Sequence, residues 1–469
     1  MEIVYRTARE LAELLRRREV SAREVVQAHL DRVERVDPAV NAIATLTAER
    51  ALDEATAADE RIAGGEPIGP LHGIPLVYKD THDTAGIRTT YGSPLLAGNV
   101  PKRDELAVAR LRAAGAITLG KSNVPEFGAG SHTFNQLFGA TRNPYALSRS
   151  AGGSSGGAAA ALASGMCALA DGSDMGGSIR NPASFCNVVG LRPSPGRVPT
   201  WPNLTPWSPL SVQGPLARTV ADAALLLSVQ AGPDPRCPFA LDEPGERFAE
   251  PMDPDLSGLR VAWTPDLGGT VPVDPDVAAV LADLPTVLSG LGCRVEPDGP
   301  DLSGGDEVFR TLRAWQFELI LGELYDRHAD RLKPSLRDNI ALGRRLTGPD
   351  IGRAHRLQAA LHERVGEFFT RHDVLVLPVS QVAPFPVEWE YPAEVAGRHM
   401  TDYIEWMRSA YLISVTGCPA LSVPAGFTVD GLPIGLQIVT PPRADALALR
   451  VGLALEQATG FGQRRPDLP

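Results

Sequence analysis

Gly152 to Ala183 reads GGSSGGAAAALASGMCALADGSDMGGSIRNPA, and the interpretation of the whole chain turns on it. It holds two glycine-embedded serines, Ser154 and Ser178, 24 residues apart. Between them, Ala158 to Ala170 has the small-residue content and the propensity of a buried helix. Such a helix rises roughly 20 Å, so the chain leaves one glycine loop and must turn back to the other. The geometry allows the two serines to meet. Glycine tolerates positive φ and lets a ligand approach the main chain closely. In Met175-Gly176-Gly177-Ser178 successive N–H groups can therefore converge on one point, as the oxyanion of a tetrahedral intermediate requires.

An isolated GGSSGG would read as a flexible linker. Here an Ala-rich apolar run follows at once, and Ile179-Arg180-Asn181-Pro182 closes the second loop. Gly152 to Gly156 also satisfies the GxSxG turn of α/β-hydrolases, with Ser154 as nucleophile. That turn follows a strand, whereas NPYALSRSA ahead of it is polar and turn-like. No Gly-Lys-Ser/Thr follows the glycines, so the loop is not a phosphate-binding P-loop.

The remaining composition narrows the function. At 469 residues, with 43% hydrophobic residues, the chain can bury a large core, and no apolar run reaches the length of a membrane span. The net charge of −11 disfavours nucleic acid and anionic membranes as partners. The N-terminal stretch reads as an amphipathic helix and not as a signal peptide. Five scattered cysteines without CxxC spacing fit a reduced, cytoplasmic setting. The nine histidines lack ligand spacing, so neither a metal nor a cofactor is expected.

Only four of the 45 basic residues are lysines: Lys79, Lys102, Lys121 and Lys333. Arginine keeps its proton in a protein, whereas a desolvated lysine can lose it. Lys79 ends the apolar run Ile74 to Tyr78, which reads as a buried strand, and a lysine there must be paired or neutral. Lys121 follows a glycine in GKSNVPEFG and reads as exposed or holding carbonyls; Lys102 and Lys333 read as surface residues. Ser21 with Glu24 forms a capping box, and Asp37-Pro38 reads as a helix stop. Helices are expected over 104–114, 220–231, 276–291, much of 305–371 and 444–459. Strands are expected over 116–119, 185–191, 259–263, 293–295, 374–378, 420–423 and 434–439. Residues 131–150 read as a loop and 195–218 as an irregular segment bordering a pocket.

The glycine–serine block resembles the defining block of the amidase signature family, serine hydrolases with a Ser–cisSer–Lys triad, and GCPALSVPAGFTVDGLPIGLQIVTPP resembles its C-terminal strands. The resemblance implies an α/β fold: one large domain over 1–469 with a central twisted mixed β-sheet covered by helices on both faces. Its parts would be an N-terminal helical segment (1–65), a catalytic core (70–230), a variable, largely helical specificity region (232–400), and C-terminal strands and a helix (401–469). It implies Ser178 as nucleophile, Ser154 (after a cis peptide) as relay and Lys79 as base. Met175, Gly176, Gly177 and Ser178 would hold the oxyanion; Ser155, Asp174 and Arg180 would support the site. Carrying the register of fatty acid amide hydrolase back from Ser154 puts Gly128, Ala129 and Ser131 on the acyl-pocket wall.

The implied reaction is hydrolysis of a small-molecule amide, carbamate or ester through an acyl-enzyme, by a monomer or a homodimer. The alternative is the catalytic A-type subunit of a glutamine-dependent tRNA amidotransferase. Those subunits usually carry Gln at the place of Asn181 and Lys at that of Arg192, so the departures here favour a stand-alone hydrolase.

Overall fold

Eleven strands form one mixed sheet in the computed structural model, which describes residues 2–468. In chain order they are β1 (Ile43–Leu46), β2 (Pro75–Lys79), β3 (Ile117–Ser122), β4 (Leu169–Asp174), β5 (Val189–Arg192) and β6 (Val212–Ala217). Then come β7 (Arg260–Trp263), β8 (Arg294–Pro297), β9 (Val374–Pro378), β10 (Ala420–Phe427) and β11 (Pro433–Val439). Across the sheet the order is β1-β3-β2-β4-β6-β5-β10-β11-β9-β7-β8. β2 lies parallel to both β3 and β4. The middle, from β4 to β9, is antiparallel, and β9, β7 and β8 are again parallel. β2, β3, β6, β9 and β11 are buried along their whole length, as strands covered on both faces are.

The flanking helices include α1 (Ala8–Arg16), α2 (Ala22–Val40), α3 (Ala48–Gly64), α4 (Leu106–Ala113), α5 (Gly156–Ala163), α6 (Arg180–Phe185) and α7 (Val220–Gln230). They continue as α8 (Pro275–Leu281), α9 (Leu284–Gly290), α10 (Gly305–His328), α11 (Pro334–Arg345), α12 (Gly348–Arg371), α13 (Arg408–Ser414) and α14 (Asp445–Thr459). Both Thr7-Glu10 and Ser21-Glu24 close capping boxes.

Several local expectations need correction. Pro38 does not stop α2, which runs on to Val40 and ends on left-handed Asn41 (φ 59°). So near the helix end Pro38 costs a single main-chain bond, and the Asp37 carboxylate accepts the N–H groups of Ala42 (2.7 Å) and Ile43 (3.3 Å) beyond it. The Ala-rich helix is shorter than its composition suggests: Gly165, at φ 75°, reverses the chain after α5, and Leu169-Ala170 pair with Leu76-Val77 of β2. Residues 180–185 form α6, so the expected strand begins only at Val189. Part of the supposed irregular segment is β6, an interior strand. Pro285, in the first turn of α9, marks where one expected helix becomes two. Within 131–150 lie two small hairpins, and the strand Ala146–Ser150 leads towards the first glycine loop.

Gly157, in the first turn of α5, is where this helix meets the sheet. A Cβ there would overlap the Asn123 amide nitrogen and lie 2.6 Å from the carbonyl oxygens of Ala42 and Asn123. Gly157→Ala is expected to destabilise the fold by about 2 kcal/mol or more. Gly366→Ala, on the exposed face of α12 with nothing near the added methyl, is expected to stabilise it by about 0.5–1 kcal/mol. Denaturant unfolding of the two variants checks both signs.

Candidate active site

β2 delivers Lys79 to the interior at its last position, where the side chain is fully buried. Its N–H donates to Asp171 Oδ1 (2.6 Å). Its Nζ donates to Ser154 Oγ (2.8 Å), Ser173 Oγ (3.0 Å) and Ser173 O (3.3 Å). Among the described residues no carboxylate forms an ion pair with it. Burial pulls the Lys79 pKa from 10.5 down to about 7, against the opposing pull of Asp174 and Asp171. At about 7 the neutral amine, a proton acceptor, is well populated near neutral pH.

The first glycine loop brings Ser154 to this amine and is tied in turn to the second loop. The Gly153–Ser154 peptide is cis, and Ser131 Oγ donates to Gly153 O (2.7 Å). The Ser155 N–H donates to Ser178 O (3.0 Å), tying one loop to the other. The support expected from Ser155 comes from its main chain: among the described residues its buried hydroxyl, against Gly172, has no hydrogen-bond partner.

Asp174 organises the second loop. Its carboxylate accepts the N–H groups of Gly177 (2.9 Å) and Ile179 (3.1 Å), and Arg180 Nη2 (2.9 Å) and Nε (3.1 Å). Arg192 Nη1 adds a contact to Oδ1 at 3.3 Å and another to the Asp174 carbonyl. Arg180 also reaches Ala410 O, Ser414 Oγ and Gln437 Oε1. All three charged side chains are fully buried, and the two guanidiniums hold the Asp174 carboxyl far below its ordinary value despite burial. One expectation changes here. The Gly177 N–H is turned to Asp174, so the open donors of this loop are the N–H groups of Met175, Gly176 and Ser178, for which no acceptor occurs among the described residues.

Ser154, Ser173, Met175, Gly176 and Ser178 all line one cavity of about 330 Å³. The Ser178 hydroxyl has no hydrogen bond among the described residues and stands at the cavity wall. Further lining comes from Phe127, Phe309, Phe317, Leu321 and Met407, and from the segment Thr200 to Gln213. Of the three residues expected on the acyl wall, Gly128 lines the cavity. Ala129 instead packs against α11, and Ser131 lies behind the loop, bonded to Gly153 and Asn181. Gly130, between them, takes the lining position.

Of the other lysines, Lys121 takes the second of its two expected roles, holding a carbonyl, though from a buried position, and Lys333 differs from expectation. Lys121 is fully buried inside β3, where its Nζ donates to His82 O and Thr84 Oγ1 (2.7 Å) and touches neither serine. Burial lowers its pKa to about 8. Lys333 is buried, not superficial: it pairs with Glu390 (3.0 Å) over the ring of Phe134 (4.3 Å). Among the described residues no histidine bonds Ser154, as the α/β-hydrolase turn would require. Residues missed from the sequence include Ser173, which a Gly-Ser-Asp run does not distinguish, and Glu105, which Gln213 bonds at 2.7 Å and burial raises to about 7.

The family model described as Amidase matches residues 24–449. The Acylamidase of Rhodococcus erythropolis is 36% identical, covering 98% of this chain and 97% of the relative. The A-type subunit of the Glutamyl-tRNA(Gln) amidotransferase from Moorella thermoacetica is 38% identical over 100% of this chain and 99% of its own. Among solved structures, a bacterial aryl acylamidase of the amidase signature family superposes with a TM-score of 0.92 at 30% identity, covering 98% of this chain and 97% of that one. Among the described residues no helix is long and apolar enough to cross a membrane.

Asp174→Asn is expected to lower stability by about 3 kcal/mol or more, because two buried guanidiniums then lack a counter-charge. Equilibrium denaturation measures the loss, and Asp174→Glu, which keeps the charge, is expected to recover part of it.

Proposed function

The chain belongs to the amidase family, and we propose that it cleaves carboxylic amides with Ser178 as nucleophile, Ser154 as proton relay and Lys79 as base. The observation that carries this reading is the Lys79 Nζ–Ser154 Oγ contact of 2.8 Å, made by a buried amine that pairs with no carboxylate among the described residues. An amide carbonyl is a poor electrophile and its amine a poor leaving group, so activation, oxyanion donors and a proton source are all needed. Neutral Lys79 draws the proton of Ser154, which draws that of Ser178 as the substrate brings the two hydroxyls together. Ser178 Oγ bonds to the carbonyl carbon, and the N–H groups of Met175, Gly176 and Ser178 receive the oxyanion. The relay then returns the proton to the departing nitrogen, and water releases the acid from the acyl-enzyme.

The aromatic and apolar walls suit an amide with an aromatic or extended apolar part. This agrees with the acylamidase and aryl acylamidase names of two relatives. Carbamates and esters present the same carbonyl to Ser178. We read the protein as acting by itself, as a monomer or homodimer. The similarity to A-type amidotransferase subunits over the full chain supports a second reading, in which the lone chain is silent on simple amides and needs a complex.

Hydrolysis of a 4-nitroanilide and its matched 4-nitrophenyl ester tests the roles. Ser178→Ala is expected to lose at least about a thousandfold in kcat for both. Lys79→Ala is expected to lose far more on the amide, whose nitrogen must be protonated to leave. Because the Lys79 pKa is lowered, its neutral form grows as pH rises through about 7. The kcat/KM of the wild type should therefore climb with a midpoint near pH 7, and Lys79→Ala should lack that limb. Equal loss of amide and ester in Lys79→Ala, with the limb intact, overturns the assignment of the base.

A further inference from the structure

One face of α10 forms a wall of the cavity: Phe309, Arg313, Gln316, Phe317, Ile320 and Leu321 follow helical spacing and all line it. Phe309 packs on the glycine loop so tightly that a Cβ on Gly176 would lie 2.6 Å from its ring. Arg313 stands one turn further on, about 6 Å along the helix axis. It is the anomaly of this wall, because the other side chains are apolar or neutral.

Arg313 is 4% exposed, yet among the described residues no ion pair includes it. Its direct partners are neutral, and the charge acting across the shared Tyr403 ring is another cation, Lys333. Nη1 donates to Asn339 Oδ1, and the guanidinium lies over the rings of Phe317 (4.4 Å) and Tyr403 (5.4 Å). Glu390 and Asp402, the acids acting on the same Tyr403, are taken by Lys333 and Arg310. A buried cation without a counter-charge is costly, and truncating it to remove the cost would be simple. A guanidinium stacked on aromatic rings is a rigid fork suited to a carboxylate. Arg313 lines the cavity, so such a group can reach it from there.

We propose that Arg313 anchors a carboxylate on the substrate. The preferred substrates are then amides bearing an anionic group about one helical turn from the scissile carbonyl, with an apolar or aromatic spacer against Phe309 and Phe317. The inference rests on the reading of Ser178 as the attacking group, since that places the carbonyl beside Gly176. The carboxylate can sit on the acyl part or on the amine part, and the two are distinguished by substrate choice.

Binding is measured calorimetrically with the hydrolytically silent Ser178→Ala protein. Four probes are used: glutaric acid monoanilide and its methyl ester for the acyl side, and 4-acetamidobenzoate and its methyl ester for the amine side. At least one acid is expected to bind about tenfold or more tighter than its ester. Arg313→Gln added to this background should erase that preference while leaving ester binding within about threefold; Arg313→Lys should retain part of it. Equal binding of acids and esters on both sides overturns the proposal. So does an equal loss for acid and ester in Arg313→Gln, which marks a purely structural role through Asn339. Cleavage of the tighter-binding anilide by the wild type is a separate readout. A carboxylate preference without cleavage keeps Arg313 as an anion site and removes the Ser178 reading instead.

Discussion

A lysine amine sealed inside the protein with hydroxyls and a carbonyl as its partners is the constraint on which the site depends. An ammonium at that position would lack both water and a counter-charge. The acids close enough to neutralise it are already committed elsewhere. Asp171 divides its oxygens between the Lys79 N–H and His82 Nδ1, and Asp174 is held between Arg180 and Arg192. Lys79 is thus left to serines, and a neutral amine beside a hydroxyl is a base in place. Lys121, on the neighbouring parallel strand, shows the contrast: equally buried, it holds a carbonyl and a threonine hydroxyl, and its pKa falls less.

The same economy of charge shapes the glycine loop. A chain of Met175-Gly176-Gly177-Ser178 has little intrinsic preference for one conformation. Asp174 selects one by taking the N–H groups of Gly177 and Ile179, while the arginines fasten the aspartate to α13 and β11. What remains open is a short arc of N–H groups beside Ser178, facing the cavity. The loop's precision therefore comes from a buried carboxylate behind it, and its chemistry from the donors that the carboxylate leaves free.

Part of this was legible in the sequence: the glycine–serine block carried a family resemblance, and it was the resemblance that implied a pairing of Ser154 with Lys79 and a supporting place for Asp174 and Arg180. For that pairing the residues alone said only that a lysine ending an apolar strand must be paired or neutral. Propensity misjudged the Ala-rich stretch, because alanine and leucine serve a helix and a buried strand alike, and tertiary pairing with β2 decided for the strand at Leu169. Burial of Lys121 and Lys333 was hidden, because their partners lie far away in the sequence: His82 and Thr84 for Lys121, Glu390 and Phe134 for Lys333. The α10 wall was invisible for a similar reason. Residues 305–371 read only as largely helical, and which side chains of α10 close the cavity is set by the tertiary fold.

The central claim, that the carbonyl is attacked by Ser178 and not by Ser154, is tested most directly by acid-quenching a reacting mixture of wild-type protein and a 4-nitrophenyl ester, then locating the acyl group by peptide mass spectrometry. The account predicts one acyl group on the peptide fragment containing Ser178, absent in Ser178→Ala. An acyl group on Ser154, or rapid release of nitrophenol without any acylated serine, would contradict it.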